Sequence, residues 1–463
     1  MKHRSIPFVP VCAAIAAGIL FAACCLPQKD PAPKGSAEEK ADIVSLRAAA
    51  EQGDADAQYR LGECYCIGDG VRKDVSEMAA WYRKAAEQGH AEAQYELGLS
   101  YDRGEGVPQD NAEAVKWYCL AAAQGVARAQ NNLGVCFEYG EGVPQDAAEA
   151  VKWYRFAAGQ QLDVAQRNLG HCYSRGIGVE KDFAEAVKWF RLAAAQGYAS
   201  AQSDLGACYY SGQGVPEDKA EAVRWLRKAA EQDEERAQSL LGMCCYMGEG
   251  TAQDYNEAFQ WFRKAAEQGR ADAQFLLGSC FYKGEGTAQD YNEAFQWFRK
   301  AAEQGHAEAQ AQLGLCYYDG MGVEEDVVEA VKWWRKAAEQ DDQFALCRLG
   351  ECYLDGIGVD MDWDKARECF RRAAEIKDEE DEVHYFASKS QEMLDAILAY
   401  EKNLSAAEQG DAEAQYNLGI CYYNGRGVKK DTAEAAKWFR EAAKNGDADA
   451  KKMLDALNNA PQP

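Results

Sequence analysis

The chain has 463 residues, a formal net charge of −25, and 41 Gly and 17 Cys against only 10 Pro. Its 47% hydrophobic and 11% aromatic content exclude wholesale disorder, and 51 Lys and Arg against 76 Asp and Glu argue against nucleic acid, whose phosphates need clustered cations. The glycine content is too high for an ordinary helical protein, and length alone suggests about three globular units.

At the amino end, Lys2 and Arg4 precede an apolar run from Phe8 to Ala23 that is interrupted by Pro10. A basic stretch, a short apolar stretch and small residues at its end predict an export signal over 1–23. The run is too short for a membrane-spanning helix. Its end, Leu20-Phe21-Ala22-Ala23-Cys24, resembles the lipobox of bacterial lipoproteins, with Phe21 in place of the usual Leu. That resemblance implies cleavage before Cys24 and acylation of its thiol, and it makes the lipid the only membrane contact; plain signal cleavage near Ala23 is the alternative. Residues 24–36, with Pro27, Pro31 and Pro33, read as an extended tether. Ser36 and Glu39 then predict a capped lone helix over 37–53, half of a repeat.

Leu-Gly recurs at Leu61, Leu97, Leu133, Leu169, Leu205, Leu241, Leu277, Leu313 and Leu349, every 36 residues, and again at Leu418, 69 residues on. Nine repeats over 54–377, a degenerate repeat over 378–410 around Tyr385, a repeat over 411–446 and a closing helix and tail over 447–463 follow from this period. In the second repeat Ala91–Asp102 has helical spacing of apolar residues, Gly104 to Asp110 forms a loop, and Asn111 to about Ala123 is a second helix. Asp110 and Glu113 carry an Asp-x-x-Glu pattern, which reads as a capping box and not as an acid–base or metal pair. Trp81, Trp117, Trp153, Trp189, Trp225, Trp261, Trp297, Trp333 and Trp438 recur once per repeat in the second helix, which predicts a core position. The acidic stretch Glu375–Glu382 replaces the usual connection and predicts a bend.

The pattern A-x-A-Q-Y-x-L-G-x-x-Y-x-x-G-x-G-V-x-x-D-x-x-x-A-x-x-W-Y-x-K-A-A-x-Q-G resembles the Sel1-like repeat, a relative of the tetratricopeptide repeat. The resemblance runs from Ala37 to Leu457. It implies an all-α fold, an α-solenoid superhelix of antiparallel helix pairs, acting as an interaction scaffold. Stacking is required independently, because one helix pair cannot bury its own apolar face.

Cys64, Cys136, Cys172, Cys208, Cys244, Cys280, Cys316, Cys352 and Cys421 each stand three residues after a repeat Leu. Equivalent residues of neighbouring repeats should lie roughly 8–10 Å apart, too far for a disulfide, which needs Cα atoms within about 7 Å. Some Sel1-like proteins bridge the two helices of a repeat with cysteines at other positions, a pairing this chain lacks. No Cys-x-x-Cys exists, and Cys64-x-Cys66 and Cys244-Cys245 are weaker as metal ligands than as buried apolar thiols. His90, His171, His306 and His384 share no motif, and Ser-x-x-Lys, Lys-Thr-Gly and Gly-x-Ser-x-Gly are absent. No catalytic residue, cofactor or metal is assigned.

By analogy with tetratricopeptide arrays, the first helices line a concave groove. Its exposed sites should lie two residues before the Leu and two and five after it. Tyr210, Tyr246, Tyr282 and Tyr318 occupy the last of these in four successive repeats, with Met243, Phe275 and Leu315 nearby, whereas Asp102, Glu138 and Ser174 stand there earlier in the chain. An aromatic, Met-bearing stripe suits capture of a partner peptide or helix, and packing between helices is the alternative for these Tyr. The chain is thus expected to be a monomeric, non-catalytic protein-binding scaffold, exported to the bacterial envelope. Binding of peptidoglycan or another envelope polymer is the second reading, mildly opposed by the negative charge, and a β-lactamase-like enzyme the third. Residues 248–269 and 284–305 are identical, as a duplicated repeat would be.

Overall fold

A computed structural model describes residues 37–376 and 384–458. The export segment, Cys24, the tether, Ser36 and most of the acidic 375–382 stretch lie outside the described residues. Among those described, every regular element is a helix. They divide at Trp261 and Phe262 into two compact halves.

The helices form where the predicted punctuation lies. Several first helices begin at a capping side chain, as at Asp54, which accepts from the N–H of Ala57, while those after Val126, Leu162, Tyr198 and Arg270 do not. The first helices stop at a left-handed glycine, as at Gly68 with φ 84°. The N–H groups of Gly68 and Asp69 both donate to the carbonyl of Cys64, at 2.8 and 3.0 Å, closing the turn. Second helices begin at Asp110 and its equivalents, whose carboxylate takes the N–H groups of Ala112 and Glu113. The capping box stays half open. The N–H of Asp110 already donates to the carbonyl of Tyr101 at 2.9 Å, so the Glu side chains turn to lysines one turn on, as in Lys152–Glu149 and Lys188–Glu185 at 2.6 Å.

Within each half, a first helix packs against the second helix of its own repeat and that of the repeat before. The repeat Leu residues are almost fully buried: Leu61, Leu97, Leu133, Leu169 and Leu205 expose nothing. The following Gly lets the helices touch. A Cβ on Gly98 would stand 2.7 Å from the ring of Tyr118.

That contact corrects the reading of the tryptophans. The large side chain in the core is the residue after each Trp: Tyr118, Tyr154, Phe190, Leu226, Phe262, Phe298, Trp334 and Phe439 are buried. Trp117, Trp153, Trp189, Trp225, Trp261, Trp297, Trp333 and Trp438 are only half-buried. One residue further along a helix turns the side chain by about 100°, toward the Gly of the facing helix. The Trp is left at the edge of the interface, and only Trp81 is buried there.

A buried glutamine joins consecutive hairpins. Gln94 Nε2 donates to the carbonyl of Ala86 at 3.1 Å, and its Oε1 accepts from Gln124 Nε2 at 2.8 Å. The same pair of bonds is made by Gln130, Gln166 and Gln202 in the first half and by Gln274, Gln310 and Gln415 in the second, with Asn445 donating to Gln415. Leu346 interrupts the series.

The degenerate repeat is not a hairpin. His384–Glu408 is one continuous 25-residue helix, because it contains neither the Gly-x-Gly turn nor an Asp cap. Its second half nevertheless serves as a second helix. The glycine turn of the next repeat approaches its backbone, and a Cβ on Gly427 would lie 2.2 Å from the Ala396 carbonyl, as one on Gly142 would from that of Asn111. The closing helix, Ala448–Asn458, buries Ala450 and packs Met453, Leu454 and Leu457 on the last hairpin, while Lys451 and Lys452 face solvent.

Candidate partner-binding face

The predicted groove residues lie deeper than their spacing suggests. Met243, Phe275 and Leu315 are 4%, 6% and 2% exposed, so they belong to the interior. Phe275 stacks on His306, the capping residue of the next first helix, with centroids 5.0 Å apart. Tyr59 does the same on His90 at 4.7 Å. The site two before the Leu therefore faces the next hairpin, not solvent.

Tyr210, Tyr246, Tyr282 and Tyr318 are half-buried. Tyr246 and Tyr282 meet Tyr255 and Tyr291 edge-on at 5.1 and 5.4 Å, and Tyr318 packs on Trp334 at 5.4 Å. Tyr210 lies beneath Lys219, whose Nζ is 3.4 Å from the ring centroid, and its hydroxyl bonds Glu249. Burial pushes the Tyr282 hydroxyl up to about 12. The acids that stand there earlier in the chain are also engaged. Asp102 and Glu138 accept from the hydroxyls of Tyr118 and Tyr154 at 3.2 and 2.7 Å. Each of these side chains has one side on a helix contact and another toward solvent.

The first half also carries a polar lattice between first helices that the repeat pattern did not reveal. Asp204, 4% exposed, accepts from Arg167 Nε at 2.6 Å and Arg236 Nη1 at 2.7 Å, with His171 Nε2 at 3.1 Å. These residues come from the helices Asp163–Arg175, Ala199–Ser211 and Glu235–Met247 of three successive repeats. Burial favours the protonated acid, but the adjacent His171 and Arg167, then Arg236, outweigh it and hold the carboxyl well below the usual range. Arg128 bridges Glu92 at 2.8 Å and Glu96 at 3.8 Å, and Asn168 donates to Asn131 at 3.0 Å. The lattice occupies positions whose residue type changes from repeat to repeat. Its signal was pairwise: opposite charges spaced about one period apart, Arg167 with Asp204 and Asp204 with Arg236.

Burial raises the thiols of Cys136, Cys172, Cys208, Cys280, Cys316 and Cys352 to about 12, which keeps them protonated at neutral pH. Among the described residues no three His, Cys, Asp or Glu side chains converge as metal ligands would. The arrangement offers polar and aromatic contacts on a rigid frame.

The Sel1 repeat model matches ten segments of the chain: 55–90, 91–126, 127–161, 163–198, 199–234, 235–269, 271–306, 307–342, 343–378 and 412–447. The gap at 379–411 coincides with the helix that replaces a hairpin. The chain is 37% identical to a protective antigen present in uropathogenic Escherichia coli strains that displays an SLR fold, over 90% of this chain and 93% of that one, with a TM-score of 0.65. It is 34% identical to a Sel1 repeat protein from Oxalobacter formigenes, over 70% of this chain and 98% of that one, with a TM-score of 0.53. A segment of 54 residues is 39% identical to DAP3-binding cell death enhancer 1 of Mus musculus, covering 12% of this chain and 11% of that relative's length.

Proposed function

Because the chain belongs to the Sel1 repeat family, whose members generally mediate protein–protein interaction as non-catalytic scaffolds, we propose that it captures a partner protein on the first-helix face at the bacterial cell envelope. The observation that carries this reading is the contrast between a fixed frame and a varied face. Leu, Gly, Gln and most of the Cys repeat in place and are buried, whereas the varied first-helix positions run from the half-exposed Arg128 and Glu92, through Arg167, His171 and Arg236 around the buried Asp204, to the half-buried Tyr210 and Tyr246. Variation on an invariant support is how solenoids specify partners. Half-buried tyrosines give rigid aromatic contact area at low entropic cost. The lipobox-like ending at Cys24 supports an exported, lipid-anchored placement, and similarity to a protective antigen agrees with it.

Crosslinking in intact cells tests both parts. The full chain should give one defined crosslinked partner in the membrane fraction. Tyr210→Ala with Tyr246→Ala should lose that partner at least tenfold while keeping its fraction and its helical signal, with a melting midpoint lower by a few degrees for the lost packing, and Cys24→Ala should leave the membrane fraction. Unchanged partner recovery by the double variant removes the face from consideration. Equal retention of wild type and double variant on purified sacculi, with no crosslinked protein, moves the function to a wall polymer.

A further inference from the structure

Several junctions between consecutive hairpins share one arrangement on the second-helix side. The arginine two residues after the Trp donates to the tyrosine four residues after the next repeat's Leu. Arg155 does so to Tyr173 at 2.8 Å, Arg191 to Tyr209 at 3.0 Å and Arg335 to Tyr353 at 3.2 Å. The third residue of the next second helix brings an acid to the same place, and Arg227 meets Glu257 there at 2.6 Å. In Trp363–Glu375 alone a cation, Lys365, replaces that glutamate. Arg335 and Lys365 then flank the ring of Tyr353, 5.7 and 5.4 Å from its centroid, like charges where the other repeats place opposite ones. Lys365 bonds Asp362 at 2.8 Å and Lys332 bonds Glu329 at 2.7 Å, but the hydrogen bond of Arg335 goes to a phenol and not to an acid. A cleft of about 420 Å³ opens at this pair, walled by Val328, Val331, Val359 and Met361. Val328 and Met361 are 50% and 55% exposed, where the preceding repeat has Asn292 and Glu325. The charge changes sign as well. Lys332, Arg335 and Lys365 line the cleft against Asp360 and Asp362. The same positions one period earlier set Arg299 alone against Glu324, Glu325, Asp326 and Glu329.

We propose that this cleft binds the terminal carboxylate of a peptide whose last side chain is aliphatic. Arg335 and Lys365 hold the carboxylate, and Val328, Val331 and Met361 receive the side chain. A carboxylate fits for two reasons. The lining carries one cation more than it has acids, which matches a singly charged group, whereas a phosphate dianion would face Asp360 and Asp362 with a charge unmatched. A guanidinium bonded at Nε still presents its outer N–H groups as a planar fork, the geometry a carboxylate accepts. An anion between Arg335 and Lys365 also replaces the attraction that the missing glutamate supplies elsewhere in the array. The apolar walls select what carries the charge, since burying an aliphatic group against valine and methionine is favourable and burying a polar one is not. The exposure of Val328 and Met361 favours the end of a longer chain over a free small acid, because small-ligand sites enclose most of their ligand. The cleft lies on second helices and their turn, and is independent of the first-helix face proposed to capture a partner.

The test is titration calorimetry of the full chain in neutral detergent with the pentapeptide Gly-Gly-Ser-Ala-Leu, as the free acid and as the terminal amide. The acid should bind with a dissociation constant on the order of 100 µM, and the amide at least about tenfold more weakly. Lys365→Glu installs the residue that the other repeats carry, so it should keep the helical signal and melting midpoint while losing the acid at least about tenfold. Arg335→Gln should lose it as well. Val328→Asn with Met361→Gln should erase the preference for a last Leu over a last Ser and keep that for acid over amide. Equal binding of acid and amide overturns the proposal, as do binding that survives Lys365→Glu and no binding up to about 1 mM. Octanoate that displaces the peptide at equal or lower concentration overturns it in favour of a free aliphatic acid.

Discussion

Two glycines of neighbouring repeats separate backbone strain from close approach at the scale of a single residue. Gly89 and Gly106 both have positive φ, 90° and 76°. Around Gly89 an added Cβ meets nothing within 4 Å, whereas at Gly106 it would stand 1.9 Å from the carbonyl oxygen of Val75 in the preceding second helix. Gly89→Ala should therefore cost about 1 kcal/mol, the strain of a left-handed alanine alone. Gly106→Ala should cost roughly 3 kcal/mol or more, because the hairpins must also move apart. Denaturant titration of the two variants measures the difference; equal costs would mean that the loop does not set hairpin spacing. The chain already uses the milder substitution: Gln161, Asp233 and Asp341 hold φ of 64°, 62° and 59° where other repeats place glycine. Glycine is thus optional at the end of a second helix and obligatory where two repeats touch.

Helix boundaries were legible in the sequence because caps and glycine stops are local chemistry. Asn111–Ala123 ends where the spacing places it, and Ala91–Arg103 is one residue longer than read. The face of each helix was less legible. Trp117 and Tyr118 recur with the same period, so recurrence does not say which of them points inward; the Gly98 contact with Tyr118 does. The groove was misjudged for a related reason. Met243, Phe275 and Leu315 are apolar and vary between repeats, as binding residues would, but they vary to match the neighbouring hairpin, as Phe275 does with His306. The Asp204 lattice was hidden because it depends on pairs of residues in different repeats. Capping at the Gln343–Asp355 helix shows how an element can depend on pH. Asp342 is its cap, accepting from the N–H of Ala345 at 2.7 Å, and burial, reinforced by Glu308, pushes its carboxyl up to about 7. The folded value lies above the unfolded one near 4, so this group stabilises the helix most below pH 4 and ceases to as pH rises through 7. Hydrogen exchange of the 343–355 amides, corrected for intrinsic rate, should show protection falling about tenfold between pH 5 and pH 8. Asp342→Asn keeps the acceptor and should flatten that dependence; a slope that persists would place the titrating group elsewhere.

At the scale of the molecule, stability is a sum of hairpins and the interfaces between neighbours, and each half bears this out by packing every helix only on those adjacent in sequence, apart from a few contacts across one helix. Length is then adjustable by whole periods and by nothing smaller. The identical 248–269 and 284–305 segments are what insertion of one period leaves behind, and they permit a clean reversal. Deleting 254–289 removes 36 residues and joins Gln253 to Asp290, so the sequence on both sides of the junction is unchanged over the whole duplicated block. The shortened chain should keep its helical signal per residue and a cooperative melt, with a midpoint lower by only a few degrees. Deleting the 18 residues 271–288 removes the helix Ala271–Lys283 and its turn, leaving two second helices in succession with no partner between them. That chain should lose cooperativity and expose apolar surface. Circular dichroism melts of the two deletions decide the matter: if both unfold alike, the 36-residue period is a record of duplication and not the unit in which this protein is built.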